Sequence, residues 1–208
     1  ETTGFSPLSC QIIEIGAVKV EHGAITERFS TFVNPKIPIP FKITDLTGIT
    51  DDMVMDAEPV EEVLPKFLDF VGDAVLVAHN AGFDVSFIEQ NCRYQEIEKE
   101  FISVDTVALA RVLLPTLSKY KLNVVAKALN ISLENHHRAV DDAQATAEIF
   151  VRFVEMLKDR EIFTLKELNH FGSMNPDAIR KLPSHHAVIL AKNETGRVNL
   201  YRLISMSH

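Results

Sequence analysis

The 208-residue sequence contains no tryptophan and only two cysteines, Cys10 and Cys92, in unrelated contexts. That excludes a disulfide-stapled scaffold and a zinc ribbon, so both thiols are expected to be reduced, small apolar residues of a cytoplasmic protein. No apolar run approaches the roughly 20 residues of a bilayer span, and no charged-then-apolar leader opens the sequence. A soluble protein with no membrane partner is the expectation. Positive charge is also short: 21 Lys and Arg stand against 29 Asp and Glu, a net charge of −8. A passive nucleic-acid coat would carry a basic surface instead. An enzyme that gathers carboxylates around divalent cations is not excluded, because the cations themselves meet the phosphate.

What is present fits an ordinary globular domain, with 46% hydrophobic and 24% charged residues. Residues 11–20 and 25–33 are rich in β-branched side chains and flank His22-Gly23, which predicts a hairpin. Asn34-Pro35, Pro38 and Pro40 break regular structure, and residues 44–50 carry turn and cap residues. Val60, Val63, Leu64, Phe67, Leu68 and Val71 recur at helical spacing. The short apolar runs 74–78 and 101–104 read as buried strands, each followed by a helix, at 83–94 and 106–114. A helix near 122–129 precedes a loop with His136 and His137, and the longest helix spans about 140–157. This order predicts an α/β fold, a mixed sheet flanked by helices. After about residue 158 the pattern changes to a polar run, turns and short strand-like pieces. The expected division is therefore 1–158 as one domain and 159–208 as a piece of another.

Chemistry-bearing residues collect at strand ends and helix starts. Glu1-Thr2-Thr3-Gly4 opens the chain, His79-Asn80-Ala81-Gly82-Phe83-Asp84 follows the first buried run, Asp105-Thr106 follows the second, and His137-Arg138-Ala139-Val140-Asp141-Asp142 opens the long helix. An acid in a first helical turn is ordinarily explained by the macrodipole alone, at a few tenths to about 1 kcal/mol. Asp84 and Asp142 each follow a histidine by five positions, and His79 closes a strand, where α/β folds place their sites. Taken alone, His79 reads as a satisfied buried histidine. His137, in a polar loop, suits a general base with a pKa near neutrality. Asp141 points about 100° around the helix from Asp142.

In this order, Glu-Thr-Thr-Gly, His-Asn-x-x-Phe-Asp and His-x-Ala-x-x-Asp resemble the three exonuclease motifs of the DEDDh (DnaQ-like) family, over about residues 1–157. The resemblance implies an RNase H-like sheet with two divalent cations, Mg²⁺ or Mn²⁺, held by acids. Glu1, Asp84 and Asp142 would be metal ligands and His137 the catalytic base. Thr2, Thr3, Asn80 and Phe83 would contact the terminal nucleotide. Asp105 is not one of the four acids and is expected to be a buried polar or helix-capping residue.

The stretch 136–147 and the ending 186–201 resemble, more narrowly, the PolC-type family of bacterial DNA polymerase III alpha subunits. There the exonuclease is inserted in a metal-binding domain called PHP, so residues after about 160 would be the resumption of that domain. His185 and His186 do not by themselves make a metal site. The family's first motif is Asp-x-Glu, and its aspartate would lie two residues before Glu1, on a first strand that is truncated here. The implied activity is 3′-5′ hydrolysis of terminal phosphodiesters at single-stranded or frayed DNA 3′ ends, within a larger polymerase whose other domains are partners. An RNA-trimming exonuclease, or a non-catalytic binding or scaffold module, are the alternatives.

Overall fold

The computed structural model describes residues 1–133, 138–164 and 166–168. The expected second segment, 159–208, therefore lies almost wholly outside the described residues, as do His136, His137, His185 and His186.

The hairpin consists of β1 (Glu14–Glu21) and β2 (Ala24–Phe32), paired antiparallel. Its two-residue turn places both His22 and Gly23 at positive φ, 52° and 82°, the twist that suits right-handed strands. Two short helices follow, α1 (Phe41–Thr47) and α2 (Asp51–Val54). Gly48 ends α1 in the left-handed region, φ 72°, and donates its N–H to the Thr44 carbonyl. Helix α3 (Val60–Val71) buries Val63, Leu64, Phe67, Leu68 and Val71, the face its spacing predicts. The strand β3 (Leu76–Ala78) leads into α4 (Ala81–Tyr94), and β4 (Ser103–Asp105) into α5 (Thr106–Leu113). Helices α6 (Leu122–Ala128) and α7 (Ala139–Lys158) complete the described elements.

One apolar cluster joins β1 to α3 and α4 through Ile12, Ile15, Phe67 and Phe87. A second joins α5, α6 and α7 through Leu109, Val125, Ile149 and Phe153.

The sheet departs from expectation in its pairing. The ladder of β1 with β2 is antiparallel and that of β3 with β4 parallel, but no ladder joins the two pairs. A slot lined by Ala17, Val20, Phe67, Leu76 and Phe150 separates β1 from β3. This explains why β3 is only half-buried, and Val75 exposed, where burial on both faces was expected. At its other end the same edge of β1 is occupied. Thr2 bridges Ile12 antiparallel, Ile13 N–H donates to the Glu1 carbonyl at 2.9 Å, and the Glu1 backbone nitrogen donates to the Glu14 carbonyl at 2.7 Å. Glu1 thus lies beside the start of β1.

Candidate active site

Where β1, β3, α4 and α7 converge on Glu1 and Thr2, a cavity of about 370 Å³ opens. Glu1, Glu14, Asp84 and Asp142 all line it, and no Lys or Arg among the described residues does.

The position of Asp84 follows from the turn before it. Asn80 adopts the left-handed region, φ 78°, a conformation asparagine tolerates better than most residues. Its N–H donates to Asp105 Oδ1 at 2.9 Å, and the same oxygen caps α5 by accepting from Val107 N at 2.9 Å. One carboxylate therefore ties the β3–α4 turn to the start of α5, in the capping role expected of Asp105. This aims the first turn of α4, with Asp84, into the cavity. Solvent reaches the side chain, yet the surrounding protein burial lifts its pKa to about 6. A backbone hydrogen bond pulls it down, while the carboxylates of Glu1 and Asp105 add to the rise.

His79 is fully satisfied, as its sequence context alone suggests. Nδ1 lies 2.9 Å from Thr106 Oγ1 and Nε2 lies 2.8 Å from the Tyr120 carbonyl. A carbonyl only accepts, so Nε2 carries the proton of the neutral ring. Burial, chiefly, lowers the His79 pKa, against the raising effects of the Tyr120 carbonyl, Asp105 and Asp142.

Asp142 is placed by the docking of α7 onto β1. The α7 N-cap, Arg138, supplies no side-chain cap of its own. Glu14, almost wholly buried, supplies it from β1: its Oε2 accepts from Ala139 N at 3.1 Å, and its Oε1 from Arg138 Nε and Nη2 at 3.2 and 3.1 Å. The guanidinium sits over the Phe32 ring at 5.2 Å. Two residues along the same face of β1, Gly16 receives the helix start so closely that a Cβ there would stand 2.2 Å from Ala139 C and Val140 N. Sequence reasoning missed Glu14, Gly16 and Arg138 as site determinants. The available signal was an acid inside the apolar run Ile12-Ile13-Glu14-Ile15.

Glu1, Asp84 and Asp142 are brought together around one cavity, although no three His, Cys, Asp or Glu among the described residues form a ready metal cluster. The donor chemistry nonetheless fits hard divalent cations. The lining acids are all carboxylates, the hard oxygen donors such cations take. Thr2 and Phe83 line the same cavity, and the Thr2 hydroxyl donates to the Gly4 carbonyl at 2.6 Å. Thr3 is buried behind it, its Oγ1 accepting from Gln11 N at 2.8 Å. Asn80 and Asp141 fall outside the lining. Phe5, unremarked in the sequence, exposes 80% of its surface with its ring 6.4 Å from that of Phe83.

The sequence profile of the exonuclease family RNase_T matches residues 1–150. The chain belongs to this exonuclease family. It is 56% identical over 209 residues to the PolC-type DNA polymerase III of Clostridium perfringens, covering all of this chain and 14% of that protein. Against the PolC-type enzyme of Caldanaerobacter subterraneus subsp. tengcongensis the identity is 48% over 208 residues, with 15% of the relative covered. The chain thus spans a small part of these polymerases. Among solved structures, Exonuclease X in complex with 5′ overhanging duplex DNA superposes with a TM-score of 0.65 at 27% identity, covering 83% of this chain and 95% of that one. The nuclease domain of 3′hExo, described as a DEDDh family member bound to rAMP, gives 0.62 at 24% identity, covering 72% and 82%. The exonuclease domain therefore has the RNase H-like, DnaQ-type α/β fold, and its family is divalent-metal dependent. Among the described residues no helix is long and apolar enough to cross a membrane.

Proposed function

We propose that this chain is the proofreading 3′-5′ exonuclease of a cytoplasmic PolC-type replicative polymerase, removing nucleoside monophosphates from frayed DNA 3′ ends. The observation that carries the reading is the meeting of Glu1, Asp84 and Asp142, from three separate segments, around one cavity lined by no Lys or Arg among the described residues. Residues 1–158 form the catalytic domain, and residues 159–208 belong with the PHP domain of the parent protein.

The three carboxylates would hold the divalent ions, Mg²⁺ or Mn²⁺. When bound, such ions neutralise phosphate charge and acidify water. His137 takes the proton of the attacking water, whose oxygen bonds to phosphorus as the 3′-oxygen departs and takes up a proton from solvent. The Glu14–Arg138 pair and Gly16 hold the start of α7, and so Asp142, against β1. Thr2 and Phe83 shape the wall for the terminal nucleotide, with Phe5 as an exposed face for base stacking and Thr3 and Asn80 supporting from behind. A mismatched end frays more readily, which makes it the better substrate.

The register at Glu1 also bears on the fourth acid. A chain extended upstream of Glu1 would run antiparallel along β1 into the slot toward β3. Strand side chains alternate, so a residue two before Glu1 would share its face, opposite Gly16. The test compares the chain as it stands with one extended through an aspartate at that place, on a 3′-labelled single strand with Mn²⁺. The extended form should be faster by orders of magnitude, and equal rates would refute this placement. Matched DNA and RNA strands decide the sugar preference, with DNA expected to be degraded faster.

A further inference from the structure

We infer that Lys119 and Lys121 form a phosphate-binding rim for the strand entering the cavity, held in place by His79. The inference rests on the nuclease reading above. A single strand brings one phosphate per nucleotide, and ions at the cleavage site can meet only the terminal ones. The upstream phosphates need protein cations, and neither the cavity lining nor the net charge of −8 supplies them in general.

Three described residues next in sequence to the cavity lining are basic, and Lys66, beside Phe67, is paired with Glu58. Arg138, beside Ala139, is committed to Glu14. Lys121, beside the lining residue Leu122, is exposed and has no ion pair among the described residues; the same holds for Lys119. Elsewhere the surface cations Lys19, Lys36 and Arg152 are neutralised by glutamates.

The residue between the two lysines is fixed at three points. The Tyr120 carbonyl accepts from His79 Nε2 at 2.8 Å, its hydroxyl donates to the Leu114 carbonyl at 3.2 Å, and Arg111 stands 6.0 Å from its ring. His79 itself lines the cavity. The bond from the cavity wall to Tyr120 therefore sets the two free ammonium-bearing residues at the cavity's edge. Pinning one intervening residue lowers the entropy lost when both lysines engage a strand.

The test measures hydrolysis by the full-length protein of a short 3′-labelled oligothymidylate and of the p-nitrophenyl ester of thymidine 5′-monophosphate, which has no upstream phosphate. Lys119→Ala and Lys121→Ala should each raise the oligonucleotide KM about fivefold at ~0.1 M salt, and flatten its log–log salt dependence by about 0.7, the single-strand value per phosphate contact. Selectivity for oligonucleotide over ester should fall by the same factor, and Lys→Arg at either position should retain it. An unchanged oligonucleotide KM and salt slope, with the ester still hydrolysed, would overturn the rim alone. Failure of the unaltered protein to hydrolyse either substrate would overturn the nuclease reading and the rim with it.

Discussion

Replacing Gly16 with alanine tests how far the site depends on the docking of α7. The added Cβ would stand 2.2 Å from Ala139 C and Val140 N, both backbone atoms that cannot swing aside. Carbon atoms in ordinary contact keep about 3.5–4.0 Å apart, so β1 and the start of α7 must part by more than about 1 Å. Asp142 lies in that first helical turn and would move with it. A displacement of about 1 Å at a reacting centre costs roughly 100-fold in rate, whereas overpacking of this kind costs about 1–3 kcal/mol in stability. The variant should therefore fold, melt a few degrees lower, and lose about two orders of magnitude in kcat on a 3′-labelled single strand, with circular dichroism confirming retained helix. A kcat within about twofold of the parent would show that the helix start can shift without moving the chemistry, and the positioning argument would fail.

Other consequences follow from the same contacts. Glu14→Ala leaves Ala139 N–H and the Arg138 guanidinium without their acceptor and should destabilise the fold by about 1–3 kcal/mol in denaturant titration, with kcat falling more than KM rises; unchanged stability would contradict the capping role. For Asp84 the folded pKa of about 6 lies above its ordinary 3.8, so ionisation is costlier in the folded state. That penalty is absent below the unfolded value, grows as pH rises between the two, and is full above about 6. With metal chelated, Asp84→Asn should therefore be more stable than the parent at about pH 8, by about 1 kcal/mol once screening by the solvent that reaches the group is allowed for, and the gain should vanish near pH 4. Added divalent ions should then stabilise the parent and not the variant, and equal melting shifts in the two would argue against a metal role for Asp84. Finally, His79→Ala leaves the Tyr120 carbonyl without its donor, while the Thr106 hydroxyl keeps the Ala78 carbonyl, and should cost about 1–3 kcal/mol in thermal or urea unfolding; a neutral substitution would contradict the anchoring bond.

Much of this architecture could be read from the residues, because the informative signals are local. The spacing of Val63, Phe67 and Val71 marks α3 whatever surrounds it, and His22-Gly23 marks the hairpin turn by its backbone chemistry. The two acids at helix starts, and Asp105 as a cap, are likewise local facts. Strand pairing is not local: nothing in Leu76–Ala78 or Glu14–Glu21 says that a slot separates them, and the half-buried state of β3 follows from that slot. The Glu14–Arg138 pair spans 124 positions, and the importance of Gly16 comes from a helix that begins at Ala139. Such residues differ from ordinary strand residues only through what folding brings against them. Phe5 escaped notice for a similar reason, since its nearness to Phe83 depends on how the 1–12 segment folds back along β1.

The most direct test of the site is divalent-ion-dependent release of nucleoside monophosphate from a 3′-labelled single-stranded DNA by the full-length protein, parent against Asp142→Asn. The account predicts release by the parent that stops on chelation and falls by at least about 100-fold in the variant. Release at the parental rate by Asp142→Asn would contradict it.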